Sequence, residues 1–433
     1  MKFGLFTLGC KVNQYETQAM EQMLLARGHT LADFDSPCDC YIINTCTVTA
    51  TGDKKSRNAI RRARKQNPDA VVGVCGCYAQ LAADQVRALG ADVVGGAGER
   101  VRFLDHMEQA AAERQPIVEV VPAMSRRAFE PLPAGSLSGR TRAMLKVQDG
   151  CHNFCTYCII PYARGPVRSM ALEQAVDQAR QLAQAGYREL VVTGIELSSW
   201  GLDLKTGQTP ADLIAAVCRA VPQVRIRLGS LEPRTVTASF CQALQGFSNL
   251  CPQFHLSLQS GCDTVLRRMN RKYDTARYRE SVRLLRAAFP GCAITTDLIV
   301  GFPGETEQEF DATCSFLQDI GFAACHVFPY SRRAGTPAAG MPDQCSNQCK
   351  AERAARASAI AARSAAAFRQ AMVGQRYLVL FEQPEGAYFV GHAPNYVQVA
   401  VQAPMHNNEV REVRITAVTE QGCLGELADQ SSL

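Results

Sequence analysis

The sequence predicts an α/β protein in three parts: a doubly wound parallel α/β domain, an open partial (β/α)6 barrel and a small antiparallel β-barrel. Three observations carry this. Short apolar runs alternate with helix-period patterns near the N-terminus, the same alternation recurs six times after residue 140, and after Gly374 it gives way to short alternating strands.

In the first part, "KFGLFTLG", "CYIINT", "AVVGVCG" and "ADVVGG" read as strands. Helix patterns over 13–28, 52–66 and 79–89 separate them. Continuous apolar runs of this length suit parallel strands buried on both faces. A further helix pattern leads into "PAMSRRAFEPLPAGSLSG", whose prolines and glycines mark a linker. In the second part, "RAMLKVQ", "ELVVTG", "VRIRLGS", "FHLSLQS", "AITTDLIVG" and "ACHVFPYS" are six strands, with helices expected near 171–186, 210–221, 235–246, 274–289 and 305–320. Six βα units fall short of the eight that close a barrel. The Ala- and Arg-rich run "QCKAERAARASAIAARSAAAFRQ" is a helix by propensity. Beyond it, "RYLVLFEQ", "AYFVGHA", "YVQVAVQ" and "EVREVRITAV" read as strands of a small barrel. The expected boundaries are 1–125, 137–369 and 370–433.

With 47% hydrophobic and 20% charged residues, the composition is that of a globular protein. No apolar run approaches the length of a membrane span, and the N-terminus lacks a signal-peptide pattern, so no membrane is expected and the protein reads as cytoplasmic. In a reducing compartment, nineteen cysteines are unsuited to disulfides and point to metal ligands and buried thiols. The net charge of +5 is unevenly spread. Residues 53–66 hold Lys54, Lys55, Arg57, Arg61, Arg62, Arg64 and Lys65 against one acid, a pattern suited to a polyanion such as nucleic acid.

Cys151, Cys155 and Cys158 are spaced C-x3-C-x2-C just after the first barrel strand. Loops there lie at the C-terminal face, where barrel active sites form. A closed zinc site needs a fourth ligand, which would have to come from afar. A [4Fe–4S] cluster held by three thiolates keeps one iron open for a ligand. Cys10, Cys46 and Cys77 each end a strand of the first domain, so all three fall on the edge where open α/β sheets bind ligands. Cys75, a step inside its strand, and Cys38 and Cys40, at the opposite end, read as buried thiols.

The C-x3-C-x2-C loop resembles that of the radical S-adenosylmethionine superfamily. "TLGCKVNQYET", "INTCTVTATGDKKSR" and "GCYAQ", followed by "GCHNFCTYCIIPYARGPVRS", "IRLGSLEP", "HLSLQSGCDTVLRRMNRKY" and "TTDLIVGFPGETEQEF", resemble the methylthiotransferases. "GHAPNYVQVAV" resembles their TRAM barrel. The resemblance spans nearly the whole chain and is strongest to the type that acts on N6-threonylcarbamoyladenosine at position 37 of tRNA. It implies two [4Fe–4S] clusters, an auxiliary one on Cys10, Cys46 and Cys77 and a radical one on Cys151, Cys155 and Cys158. It also implies S-adenosyl-L-methionine as cofactor, with Thr193, Gly194, Ile195 and Glu196 ("TGIE") and Asp297 as contacts. A tRNA anticodon loop would be the substrate partner, and an electron donor such as flavodoxin or ferredoxin would serve the cluster. The family also modifies N6-isopentenyladenosine in tRNA and an aspartate of ribosomal protein S12.

The last domain sets Arg376, Arg411 and Arg414 against Glu382, Glu385, Glu409, Glu412, Glu420, Glu426 and Asp429, an acidic balance that suits a basic protein better than RNA. Arg267, Arg268, Arg271, Lys272, Arg332 and Arg333 are expected to rim the catalytic face, where a cation would meet the threonylcarbamoyl carboxylate. An electron-transfer iron–sulfur protein is the alternative of another class; it has no use for a six-strand substrate barrel.

Overall fold

The computed structural model describes residues 1–133 and 141–428. The expected boundary at 137 and Asp429 lie outside them.

The N-terminal domain is a six-stranded parallel sheet: β1 (Lys2–Thr7), β2 (Thr30–Ala32), β3 (Cys40–Thr45), β4 (Val71–Gly76), β5 (Val93–Gly95) and β6 (Ile117–Glu119), in the order β2-β1-β3-β4-β5-β6. Helices α1 (Lys11–Ala26), α2 (Ala50–Gln66), α3 (Cys77–Leu81), α4 (Ala83–Ala88) and α5 (Arg100–Glu113) cover it. Its two faces bury separate cores. Ile43, Val72 and Val74 pack with Ile60 of α2, while Ile42, Val71 and Cys75 pack with Phe103 and Met107 of α5. This is the doubly wound arrangement expected. The edge strands β2 and β6 are additions of three residues each, too short to register as a periodic pattern. The helix expected over 79–89 is two helices broken at Ala82.

The central domain places β7 (Arg142–Lys146), β10 (Glu189–Thr193) and β11 (Arg225–Leu228) in one parallel sheet, and β12 (Gln253–His255), β13 (Ala293–Val300) and β14 (Ala324–Pro329) in another. The bridge Leu231–Leu256 joins the two sheets. The six strands therefore run as one open barrel wall. A two-strand ribbon of β8 (Gln148–Asp149) and β9 (Arg168–Ser169) flanks the cysteine loop and α6 (Ile160–Arg164). The outer layer is α7 (Leu172–Gln184), α8 (Pro210–Ala220), α9 (Ala238–Leu244), α10 (Asp263–Arg268), α11 (Thr275–Ala288) and α12 (Glu307–Ile320). Full capping boxes start α8 (Thr209, Asp212) and α12 (Thr306, Glu309). Helix α13 (Asn347–Gln370) packs beside β14 and is locked by Arg353, which is paired with Glu305 at 2.9 Å. Glu305 also accepts a hydrogen bond from the Gly301 amide, so "GFPGET" is a turn that clamps this helix.

The C-terminal strands β15 (Arg376–Glu385), β16 (Tyr388–His392), β17 (Gln398–Val401), β18 (Val410–Val418) and β19 (Cys423–Leu427) close into a barrel. The fifth strand, β19, is missing from the sequence reading because its five residues include a glycine and a glutamate. The barrel docks on the floor of the central domain. Arg142 pairs with both Glu189 (2.6 Å) and Glu382 (2.6 Å), while Arg227 pairs with Glu189 (2.8 Å) and lies 4.4 Å from the centre of the Tyr396 ring. Burial drives the Glu189 carboxyl up, but Arg227 and Arg142 outweigh it and hold it at about 2.

The N-terminal and central domains share a buried ionic cluster. Glu16 of α1 accepts from Arg100 (2.7 Å), Lys146 (3.0 Å) and Arg164 (2.5 Å), and Lys146 also meets Asp149 at 2.8 Å. Burial raises Glu16, yet Arg100, Arg164 and Lys146 together hold it well below its ordinary value.

Candidate active site

Each N-terminal cysteine sits just beyond a strand end on one edge of the sheet. Cys46 follows β3 directly, Cys77 follows β4 directly as the first residue of α3, and Cys10 caps α1 three residues after β1. Gly9, at φ +102°, makes this edge compact: a Cβ there would lie 2.9 Å from Cys46 Sγ. Cys77 is buried against Ala97 and against Ala163 of the central domain. Arg164 donates from Nε to Cys77 Sγ at 3.2 Å and from Nη2 to Asn13 Oδ1 at 2.6 Å. Cys75 and Cys40 point into the core, and Cys38 is buried in the loop before β3.

The three cysteines of the second set line one cavity of about 670 Å³ together with Cys10. The wall from the β10 end carries Thr193, Gly194, Ile195 and Glu196. Gly194 has no room for a side chain, since a Cβ would meet Gln148 Oε1 at 2.7 Å; Gln148 in turn accepts from the Glu196 amide at 2.8 Å. Glu196 receives the Asn153 amide group at 3.2 Å and faces the cavity. Burial, with Glu232 adding repulsion, pushes its carboxyl up to about 7.

Asp297 stands apart from those four residues. It lines an adjoining cavity of about 280 Å³ with Gln259, Ile299, Phe328 and Tyr330, and its carboxylate lies 3.4 Å from His255. The two cavities share Val48, Tyr157, Cys158 and Ile160.

Thiols become ligands to a cationic group once ionised. Burial raises Cys77 to about 11 and Cys158 to about 12, and raises Cys46 and Cys151 as well. Such thiols ionise when a metal centre supplies positive charge. A guanidinium already serves each set: Arg164 bonds Cys77, and Arg271 donates from Nη1 to Cys155 Sγ at 3.2 Å. Among the described residues no three of His, Cys, Asp or Glu converge on a point fit for a single ion. Cys10, Cys151, Cys155 and Cys158 border one cavity, while Cys46 and Cys77 do not line it. Two sets of three thiols fit two site-differentiated iron–sulfur clusters, with one member of the first set and all of the second on that cavity.

Two family models match the chain. Residues 145–317 match the Radical SAM superfamily, and residues 2–96 match Uncharacterized protein family UPF0004. Threonylcarbamoyladenosine tRNA methylthiotransferase MtaB of Bacillus subtilis (strain 168) is 43% identical over 399 residues, covering 91% of this chain and 88% of that protein. The chain belongs to the methylthiotransferase family. The methylthiotransferase of that name in Thermotoga maritima is 35% identical, covering 98% of this chain and 96% of that protein. A tRNA-2-methylthio-N(6)-dimethylallyladenosine synthase of Symbiobacterium thermophilum is 34% identical over 87% of this chain and 83% of its own. The solved structure of the radical S-adenosylmethionine methyltransferase TsrM from Kitasatospora setae matches with a TM-score of 0.56 at 17% identity, covering 89% of this chain and 79% of that one. That likeness is one of fold.

Two groups of basic residues divide in ways the methylthiotransferase motifs do not reveal. On α2, Lys54, Lys55, Arg61 and Lys65 are exposed. Arg64 instead donates to the carbonyls of Gly90 (2.8 Å) and Ala70 (2.6 Å) and pairs with Asp92. Arg62 lies 4.7 Å and 4.8 Å from the ring centres of Phe6 and Phe34. These two arginines hold the fold together and are not part of a free basic face. Among the rim cations, Arg268 is engaged by Glu309 at 2.7 Å and Arg333 by Asp53 at 2.8 Å, while Arg332 donates to the Ala339 carbonyl. Arg271 is the one of the six that lines the larger cavity.

Sequence reasoning missed Lys11 and Arg164. Lys11 lines the same cavity beside Cys10. Burial, then Arg227, draws its ammonium below the ordinary value. Arg164 sits in "PYARG", and the sequence carries no signal that its guanidinium reaches back across a domain boundary to Cys77.

Proposed function

We propose that this protein adds a methylthio group to C2 of N6-threonylcarbamoyladenosine at position 37 of tRNA. The observation that carries the reading is the similarity, at 43% identity over nine-tenths of the chain, to a methylthiotransferase named for that nucleoside. The radical enzyme class rests on the superfamily match over 145–317.

In this reading Cys10, Cys46 and Cys77 hold an auxiliary [4Fe–4S] cluster, and Cys151, Cys155 and Cys158 hold the radical cluster. Three thiolates for four irons leave each cluster one iron without a protein ligand. Together with bound S-adenosylmethionine, the clusters supply one-electron chemistry, which an unactivated sp2 C–H needs and side-chain acid–base chemistry cannot provide. Thr193, Gly194, Ile195 and Glu196 form the edge against which S-adenosylmethionine lies, and Glu196 accepts its ammonium. Arg164 and Arg271 hold thiolate sulfur in place by charged hydrogen bonds. Asp297, expected as a further cofactor contact, would act from the adjoining cavity. A chamber of about 670 Å³ is within the size range of ligand sites. The substrate base comes from an anticodon loop, where it can be splayed out without opening a long duplex. The three units that divide this labour are 1–125 (auxiliary cluster), 137–369 (radical chemistry) and 370–433 (the small barrel).

Mass spectrometry of tRNA nucleosides from a deletion strain tests the reading. The expected result is loss of the 2-methylthio form with retention of N6-threonylcarbamoyladenosine. Loss of the methylthiolated isopentenyl nucleoside, or of the methylthiolated aspartate in ribosomal protein S12, would replace the substrate. Reductive turnover that yields no 5'-deoxyadenosine would remove the radical enzyme class itself.

A further inference from the structure

Lys11 is a cation that the protein leaves without a counter-charge inside the chamber. It belongs to the wall supplied by the N-terminal domain, directly after Cys10, and its side chain is exposed to the cavity. Among the described residues no hydrogen bond or ion pair engages it. Two carboxylates act on it from a distance, and both have other partners. Glu189 is held between Arg142 and Arg227, and Asp297 faces His255. Arg142 and Arg227 add positive charge of their own towards Lys11.

The walls of the chamber therefore differ. The wall formed by the β10 end carries Glu196, with Glu232 behind it paired to Arg234 at 2.6 Å. The wall that carries Lys11 offers an ammonium that no side chain among the described residues pairs directly, Glu189 and Asp297 acting on it only from a distance. An ammonium so placed is free to bond an anion that arrives with the ligand.

Two carboxylates would enter the chamber under the function proposed above: the methionyl carboxylate of S-adenosylmethionine and the threonyl carboxylate on N6 of the base. Lys11 directly follows Cys10 of the auxiliary set, and Glu196 on the "TGIE" edge is the group assigned to the methionyl end, so the carboxylate left for Lys11 is the nucleoside's. Resting on that reading, we infer that Lys11 is the specificity-determining residue that binds the carboxylate of the threonylcarbamoyl group. Unmodified adenosine and an isopentenyl-bearing base offer it no anion.

The test measures binding of anticodon stem-loops to the holoenzyme by anaerobic fluorescence anisotropy. Three RNAs are compared: one carrying N6-threonylcarbamoyladenosine, one carrying its methyl ester, and one carrying adenosine. Wild type should bind the free acid about 10- to 100-fold more tightly than the ester, the range of a charged hydrogen bond. In Lys11→Met this preference should fall to within about threefold, while Lys11→Arg should keep most of it. Iron content and S-adenosylmethionine affinity are measured on the same preparations, and Lys11→Gln replaces Lys11→Met if the latter loses iron. A neutral variant that retains the preference for the acid overturns the inference. So does a matching loss of S-adenosylmethionine affinity with the RNA preference intact, which would assign Lys11 to the methionyl carboxylate. Wild type that methylthiolates the threonylcarbamoyl RNA without distinguishing acid from ester would sink the role of Lys11 and leave the function standing. Wild type inactive on that RNA would sink the function first.

Discussion

Neutralising Lys54, Lys55, Arg61 and Lys65 together should weaken tRNA binding in a salt-dependent way. Helix α2 begins beside the chamber: Val48 lines both cavities, and the Ala50 amide donates to Ser331 at 3.2 Å. The four exposed cations run outward from there, so they are placed to follow the RNA backbone away from the modified base. Each phosphate contact to a single strand contributes roughly −0.7 to the slope of log K against log salt. Four contacts make the variant's slope shallower by about 3, and its loss of affinity relative to wild type at about 50 mM salt exceeds that at about 200 mM by roughly 50-fold. The assay is filter binding of unfractionated tRNA across a salt series. Arg64→Ala is the contrasting variant. It breaks the bonds to Gly90, Ala70 and Asp92, so it should lower thermal stability and leave the slope within error. A slope unchanged by the four-fold neutralisation would return the run to a plain solvated face and sink the tracking argument.

Anaerobically reconstituted wild type should hold about eight irons, and the variant lacking Cys151, Cys155 and Cys158 about four; zinc in the wild type would refute the cluster assignment. Cys75→Ala should keep the full iron content because its thiol lies in the core between β4 and α5; loss of one cluster would mean that Cys75 is a ligand. Glu16→Gln leaves Arg100 without a carboxylate and Lys146 and Arg164 with Asp149 alone, so it should cost about 3–5 kcal/mol and lower the Tm of the unfolding transition by roughly 3–6 °C; a shift under about 1 °C would contradict it. The Glu189 carboxyl is depressed to about 2, so its contribution to docking the small barrel should be complete above its unfolded value of about 4.3 and fade as pH falls through 2. Acid titration followed by proteolysis of the barrel checks this, and release of the barrel already at pH 5–6, where Glu189 is fully ionised in both states, would place the pH-sensitive group elsewhere.

Much of this was legible because parallel strands announce themselves. The runs "CYIINT" and "VVGVCG" are apolar throughout, and their ends fix where a following cysteine must lie. By that logic Cys46 and Cys77 fall on one sheet edge. What escaped the sequence was of two kinds. The strands β2 and β6 are too short to express a period, and β19 is interrupted by Gly425 and Glu426. The rest depends on long-range pairing. Nothing local distinguishes Arg61, which is free, from Arg64, whose guanidinium fills a carbonyl nest formed by residues six and twenty-six positions away. Lys11 likewise looks like the first surface residue of a helix, and only the docking of a second domain turns its position into a chamber wall.

That docking gives the buried charges their purpose. An apolar interface between the sheet edge and the barrel would tolerate sliding by a fraction of a side chain. Glu16, Arg100, Lys146, Asp149 and Arg164 are satisfied in one register, and any slip leaves a buried charge unpaired at a cost of several kcal/mol. Arg164 is the member that connects this cluster to the chemistry. One guanidinium reaches Glu16 at 2.5 Å, Asn13 at 2.6 Å and Cys77 at 3.2 Å, and it extends from α6, the helix that directly follows the Cys151–Cys158 loop. The spacing between the two cysteine sets is therefore set by one side chain bonded on both sides of the boundary. A reaction that must bring one base before two cysteine-lined centres needs that spacing fixed, and the ionic cluster fixes it more sharply than hydrophobic contact could.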